Sequence, residues 1–192
     1  VQMLDTPVRA FRVLKTVEVR DGEAFARLEP AETLEIDFRI QFADAAIGAQ
    51  EKTLNMANGA FVRELSDSRT FCRKADVDHM RANGLALGGT FENAVVVEGD
   101  RVLSPGGLRH DDEPVRHKTL LRALGLNVAL ALAGGPILGR YTGNRAGHAM
   151  TNQLLRALFS DQSAYRIVEC GTATQAMLPG SGVCKGDTHA HH

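Results

Sequence analysis

The sequence predicts an α+β fold: a two-layer sandwich in which a mainly antiparallel sheet carries helices on one face. Three observations predict it. Strand-like alternation fills residues 9–42, helix-like periodicity dominates 113–159, and the composition is that of an ordinary globular protein, 44% hydrophobic and 23% charged over 192 residues. Strands first and helices after argue for a sheet covered by helices rather than for alternating β-α units.

Each element has a local cause. Residues 9–19 set Phe11, Val13, Val17 and Val19 against Arg12, Lys15 and Glu18, the alternation of a half-buried strand. Ala24–Leu28 and Leu34–Phe42 continue it, so an antiparallel meander is expected at the start. Asn58-Gly59 marks a turn, and Phe61 and Leu65 suit a short helix. Residues 71–110 form a separate small unit. Ala75–Ala82 is helical, Asn83-Gly84 ends it with a glycine suited to a left-handed cap, and Leu85–Leu87 is expected as a strand. Ala94–Val97 and Arg101–Leu103 flank Glu98-Gly99-Asp100, a hairpin signal, and Pro105-Gly106-Gly107 closes the unit. Asp111, Asp112 and Glu113 put negative charge at the start of the next helix, with Pro114 in its first turn. It runs through His117 to about Ala133 and stops at Gly134-Gly135-Pro136. Ile137–Thr142 reads as a strand. Ala146–Phe159 is a helix with Met150, Leu154, Leu155 and Leu158 on one side. From about Cys170 to His192 the chain is Gly/Thr/Ser-rich without periodicity, and a disordered tail is expected.

Composition excludes several functions. With 22 basic and 23 acidic residues the formal net charge is −1, which argues against a nucleic-acid partner. Trp is absent and there are two Tyr, a poor basis for stacking on bases. Cys72, Cys170 and Cys184 are odd in number and lack CxxC spacing, so reduced thiols in a cytoplasmic protein are expected. No apolar run approaches a membrane span of roughly 18 residues, and the N-terminus lacks a signal-peptide pattern. The first residue is Val1, so a fragment of a longer protein is expected.

A few residues suggest chemistry. His117 opens a helical stretch on which a carboxylate four residues later could share a metal ion, but residue 121 is Leu. His117-Lys118 alone reads more readily as a solvated face than as a site. Arg69-Thr70-Phe71 reads as a strand end, and His148 as a histidine in the first turn of a helix. The glycines at 84, 88 and 89 lack the strand-to-helix context of a phosphate loop. The histidines at 189, 191 and 192 look like a tail remnant rather than a site.

In combination the segments are more specific. Leu-Glu-Ile-Asp-Phe (34–38), Ser-Arg-Thr-Phe (68–71), Asn-Gly-Leu-Ala-Leu-Gly-Gly-Thr-Phe-Glu-Asn-Ala (83–94), Arg-Val-Leu (101–103), Gly-Leu-Arg (107–109), Asp-Glu-x-Val-Arg-His-Lys (112–118) and Gly-His-Ala-x-x-Asn-x-Leu-Leu (147–155) follow in that order. This order resembles the UDP-3-O-acyl-N-acetylglucosamine deacetylases of lipid A biosynthesis, over about residues 8–169. The resemblance implies hydrolysis of an acetamide on a UDP-linked acylated amino sugar by a zinc-activated water. Residues 1–169 would then be the family's second domain, and 71–110 its inserted β-α-β lobe.

By the same resemblance, His117 would be a zinc ligand and Lys118 would contact the sugar. Thr70 would stabilise the oxyanion, Phe71 would line the site, and His148 would protonate the leaving amine. Val77, Ala86, Thr90 and Val96 would line an acyl passage. The pattern departs at Leu121, where the family has an aspartate ligand, and at Gly125-Leu126-Asn127, where it has Gly-Asp-Leu. The zinc site is thus expected to be incomplete. A first domain carrying the other histidine ligand and the general-base glutamate is expected elsewhere. Val77-Asp78-His79-Met80 mimics that motif but falls within the lobe. The alternative reading is a non-enzymatic module that binds acyl chain or nucleotide-sugar.

Overall fold

Alternation along the early strands decides which side of the sheet is covered. In this computed structural model, residues 8–57, 59–85 and 88–171 are described, with only the backbone given at 8, 124 and 127–133. Strands β1 (Val8–Val13), β2 (Val17–Asp21), β3 (Ala24–Glu29), β4 (Leu34–Gln41) and β5 (Ala49–Asn55) come first. On β4, Leu34, Ile36, Phe38 and Ile40 are buried, whereas Arg39 and Gln41 are exposed. Short helix α1 (Ala60–Glu64) leads to β6 (Thr70–Arg73), α2 (Lys74–Ala82), β7 (Ala94–Glu98) and β8 (Arg101–Val102). Then come α3 (Glu113–Ala133), β9 (Ile137–Asn144), α4 (His148–Ser160) and β10 (Tyr165–Cys170).

The main sheet is seven-stranded. Its central strand is β9, antiparallel to β3 on one side and parallel to β4 on the other, with β1 parallel to its first residues. Helix α3 packs on β4 and β5, helix α4 on β2 and β3, and the two helices touch. The main core is built from Leu28, Ile36 and Phe38 of the sheet and Val115, Leu126, Leu154 and Leu158 of the helices, and a small second cluster joins Ala10, Leu138 and Cys170. The two-layer α+β expectation is met. No helix among the described residues is long and apolar enough to cross a membrane.

The small unit is a β-α-β lobe with one added strand. Parallel β6 and β7 are joined by α2, and β8 pairs antiparallel with β7. Helix α2 ends as its glycine predicts: Gly84 has φ 71°, the Leu85 amide donates to the Met80 carbonyl at 2.8 Å, and the Gly84 amide donates to Arg81 at 3.0 Å. This is a Schellman cap, which closes the last turn without a side chain.

The structure corrects four expectations. Residues 9–19 are two strands, not one: the chain breaks at Leu14, whose amide donates to the Ala164 carbonyl at 2.8 Å. The opening strands are not a meander, because β1 pairs with β10 and β9, and β9 separates β3 from β4. Leu85 is not in a strand and is 60% exposed, and Ala86 and Leu87 lie outside the described residues. Strands β5 and β10 are additional. The expected tail, apart from Cys170 at the end of β10 and Gly171, also lies outside the described residues.

Candidate active site

The candidate residues converge because the first turn of α3 is fastened to both ends of the lobe. Glu113 is completely buried. It accepts from the Arg69 amide at 2.9 Å, from Arg69 Nε and Nη2 at 3.0 Å each, and from the Arg109 amide at 2.8 Å. Arg69 Nη2 also donates to the Gly107 carbonyl at 2.7 Å. These bonds hold the carboxyl below the ordinary glutamate range although burial alone would raise it. The sequence placed Glu113 as a helix-end charge; its larger role is to join the lobe's two strand ends to α3. Beside it, Lys52 and Arg116 share Asp112 and Glu64, with Lys52 Nζ 3.0 Å from Asp112 and 3.3 Å from Glu64.

Down the helix, His117 lies beside the Ser68 backbone, and burial pushes its imidazole below the ordinary histidine value. Its Nδ1 is buried with no hydrogen-bond partner among the described residues. Lys118 reaches over the Phe71 ring at 5.2 Å, and burial followed by the nearby Arg122 charge lowers its pKa. One turn further on, Arg122 is 2% exposed. Its guanidinium lies 5.8 Å from the centre of the Phe38 ring, and its Nη1 donates to the Thr151 hydroxyl at 3.3 Å. Phe38 can lie there because Gly143 leaves room: a Cβ at 143 would sit 2.5 Å from Phe38 Cε2. Thr151 also meets the Tyr141 hydroxyl at 3.1 Å.

His148 enters from the other helix. The chain leaves β9 through Arg145, whose φ of 52° is rare for a side-chain-bearing residue, and its amide donates to the Arg39 carbonyl at 2.9 Å. That bend starts α4 at His148 beside α3. Arg122 first, then burial and Lys118, hold the His148 imidazole below the ordinary histidine value. A lowered value leaves a smaller share of the ring protonated near neutral pH and makes the protonated ring the stronger acid.

Two cavities adjoin these residues. One of about 300 Å³ is lined by Lys118, Arg122, Arg145 and His148 together with Phe38 and Phe42. The other, of about 270 Å³, lies in the lobe and is mostly apolar; Thr70, Phe71, Val77, Thr90 and Val96 all line it. Phe42 and Phe71 meet edge to face at 5.3 Å, so an aromatic pair stands where the two approach. The structure therefore groups Lys118 with His148, and Thr70 and Phe71 with the expected passage residues. His117 lines neither cavity, and Ala86 lies outside the described residues.

Sequence reasoning did not single out Arg122, Arg145, Phe38 or Phe42. For Arg122 a signal existed: a lone cation in an apolar helical run, four residues after Lys118.

The expected zinc centre does not fit the residues present. Among the described residues no three His, Cys, Asp or Glu side chains cluster to hold a metal ion. His117 Nδ1 is a buried, unpartnered atom able to ligate, but one turn on stands Leu121. One imidazole without a carboxylate falls short of the three protein ligands of a catalytic zinc. The cations around Lys118 oppose a divalent ion further.

Comparison with known proteins bears on this geometry. A match to the family described as UDP-3-O-acyl N-acetylglycosamine deacetylase covers residues 1–160. A UDP-3-O-acyl-N-acetylglucosamine deacetylase of Phenylobacterium zucineum (strain HLK1) is 48% identical over 161 residues, 84% of this chain and 54% of its own. Those of Shewanella frigidimarina (strain NCIMB 400) and Xanthomonas axonopodis pv. citri (strain 306) are 41% and 43% identical, each over 88% of this chain and 56% and 55% of their own. The chain thus spans about half the length of these curated relatives. By the extent of that match and the level of these identities, the chain belongs to the UDP-3-O-acyl N-acetylglycosamine deacetylase family.

Proposed function

We propose that this chain is the substrate-holding half of a deacetylase for a UDP-linked, 3-O-acylated amino sugar. Residues 1–169 form the family's second domain, and the lobe at 71–110 forms its acyl passage. One observation carries the reading: a cationic cavity and an apolar one approach each other at the Phe42–Phe71 pair. A phosphorylated sugar bearing a fatty chain has the same two-part chemistry, anionic at one end and apolar at the other.

In this reading Lys118 contacts the sugar and Phe71 walls the junction. Thr70 donates its hydroxyl to the oxyanion that develops when the acetamide carbonyl is attacked. His148 as imidazolium delivers a proton to the leaving amine. The attacking water needs a base, and no Asp or Glu lines either cavity among the described residues. Leu121 in place of a carboxylate removes a zinc ligand as well. Without that base and that ligand, the described residues hold substrate but do not complete turnover by themselves. A cytoplasmic location belongs to the same reading. Leu121 and the cationic cavity also favour the alternative, a module that binds nucleotide-sugar or acyl chain and lacks catalysis altogether.

Calorimetry tests the binding claim. Val77→Phe fills the apolar cavity, and excluding two to three methylenes lowers affinity for the 3-O-acylated UDP-sugar by roughly 15- to 60-fold. Affinity for UDP-N-acetylglucosamine stays unchanged. Equal loss for both ligands, or no loss for either, refutes the assignment of the passage. Acetate release above background by this chain with zinc added refutes its inactivity.

A further inference from the structure

We propose that the Asp67–His110 pair is a protonation-dependent clasp that positions the Ser68–Thr70 segment from outside the candidate site. His110 Nε2 lies 2.7 Å from Asp67 Oδ2, with 33% and 26% of the two side chains exposed. Neither residue lines either cavity. Asp67 stands three residues before Thr70 in the chain that enters the lobe, and His110 stands in the chain that leaves it for α3. The consequence for catalysis rests on the reading of Thr70 as the oxyanion donor; the clasp itself stands on these contacts.

The neck of the lobe is fastened in two ways. Glu113 and Arg69 form the first, and both keep their charge near neutral pH: the carboxyl lies below its ordinary range, and a guanidinium stays protonated. Arg109 Nη1 adds a bond to the Asp67 carbonyl at 2.6 Å. Asp67–His110 is the second. Among the described residues it is the one side-chain pair that joins the entering chain (66–69) directly to the leaving chain (104–110). Imidazole is the side chain whose ordinary titration falls between about pH 5 and 8. Burial alone would raise the Asp67 carboxyl, but the His110 bond and then the His110 charge hold it below its ordinary value. Asp67 therefore stays ionised through that range, and the state of the clasp follows His110. Protonated, His110 faces the carboxylate as an ion pair. Neutral, it loses the charge and has one N–H for its two ring nitrogens.

The segment that the clasp holds carries candidate site residues. The Ser68 amide donates to the Leu65 carbonyl at 3.1 Å, and the Ser68 backbone lies beside His117. Arg69 is bound to Glu113, and Thr70 starts β6 in register with Ala94 and lines the lobe cavity. A change of charge at His110 is thus felt three residues from the hydroxyl that the reaction would use. The charged groups of the surrounding elements are Arg116 of α3, which acts on Asp67, and Glu64 of α1, which Arg116 meets at 3.3 Å. Arg109, Asp111 and Asp112 belong to the leaving chain, and Asp112 is bound to Arg116 and Lys52. Among the described residues no other side chain donates to the Asp67 carboxylate.

The test follows the full chain by NMR from about pH 5 to 8, without substrate or metal. The Ser68, Arg69 and Thr70 amide resonances are expected to move with the midpoint of the His110 ring. Exchange of these amides, corrected for its intrinsic pH dependence, is expected to quicken roughly two- to fivefold as His110 loses its proton. His117, the other imidazole beside this segment, is followed in the same spectra, so its own titration is told apart. Asp67→Asn keeps an acceptor oxygen but removes the charge, and is expected to abolish the response to His110; Asp67→Glu restores part of it. A bond of structural value alone would leave no such pH signature. Should the variants not fold, the unaltered chain decides. Resonances at 68–70 that do not follow the His110 ring, or a response unchanged in Asp67→Asn, overturn the proposal. The read-out needs no ligand, so a null result for Val77→Phe in the calorimetry above sinks the acyl passage and leaves the clasp standing.

Discussion

Replacing Glu113 with alanine tests the argument that one carboxylate holds the lobe to α3. The substitution removes four acceptor contacts, two from backbone amides and two from the Arg69 guanidinium. It leaves a guanidinium that is 9% exposed without its counter-charge. Breaking a buried pair by deleting one partner costs about 3–5 kcal/mol, a large share of a domain's stability. Glu113→Gln keeps one acceptor oxygen but turns an amide donor toward donors, so its cost is about 2 kcal/mol. Because the folded carboxyl lies below its ordinary value, its contribution is full above about pH 4.5. It is lost as pH falls through the lowered folded value. The gap between the parent and Glu113→Gln therefore closes in acid. Urea denaturation from pH 7 to pH 3 measures this, and amide exchange at Arg69 and Arg109 localises it. A loss below about 1 kcal/mol for Glu113→Ala at pH 7, or a gap that widens in acid, refutes the reasoning.

Three further outcomes are expected. Leu121→Asp places a carboxylate one helical turn from His117, so zinc at about 100 times its dissociation constant stabilises that variant by about 2.7 kcal/mol and leaves the parent's melting point unmoved; equal shifts in the two would refute the role given to Leu121. Gly143→Ala brings a Cβ to 2.5 Å from Phe38 and 2.9 Å from Tyr141, and overpacking costs about 1–3 kcal/mol in thermal or urea denaturation. The His148 ring titrates by NMR below the usual histidine midpoint of about 6.5, and Arg122→Met moves that midpoint up, because the Arg122 charge is the leading cause of the depression. An unchanged midpoint would remove Arg122 from the electrostatics of the cavity.

Much of the site was legible only through its order in the chain. Thr70, Phe71, Val77, Thr90 and Val96 carry no distinguishing chemistry singly, yet they line one cavity. What made them readable was the succession of short segments around them. His117 and Lys118 are neighbours in sequence but face different surroundings, one against the Ser68 backbone and the other over Phe71. Consecutive residues on a helix diverge by about 100°, so adjacency says little about shared contacts.

The sequence by itself determined the elements whose causes are local. Helix α3 begins at Glu113 and ends before Gly134, the α2 cap falls on Gly84, and a hairpin turns at Gly99. Caps, turn glycines and a 3.6-residue period act within a few residues and need no partner. The tertiary structure alone decided that β9 lies between β3 and β4 and that Glu113 is a buried staple. It also put Arg122, an ordinary cation in a list of residues, against Phe38 without a counter-charge among the described residues. Strand partners and buried charges depend on segments a hundred residues apart, and only closure of the whole chain brings those together.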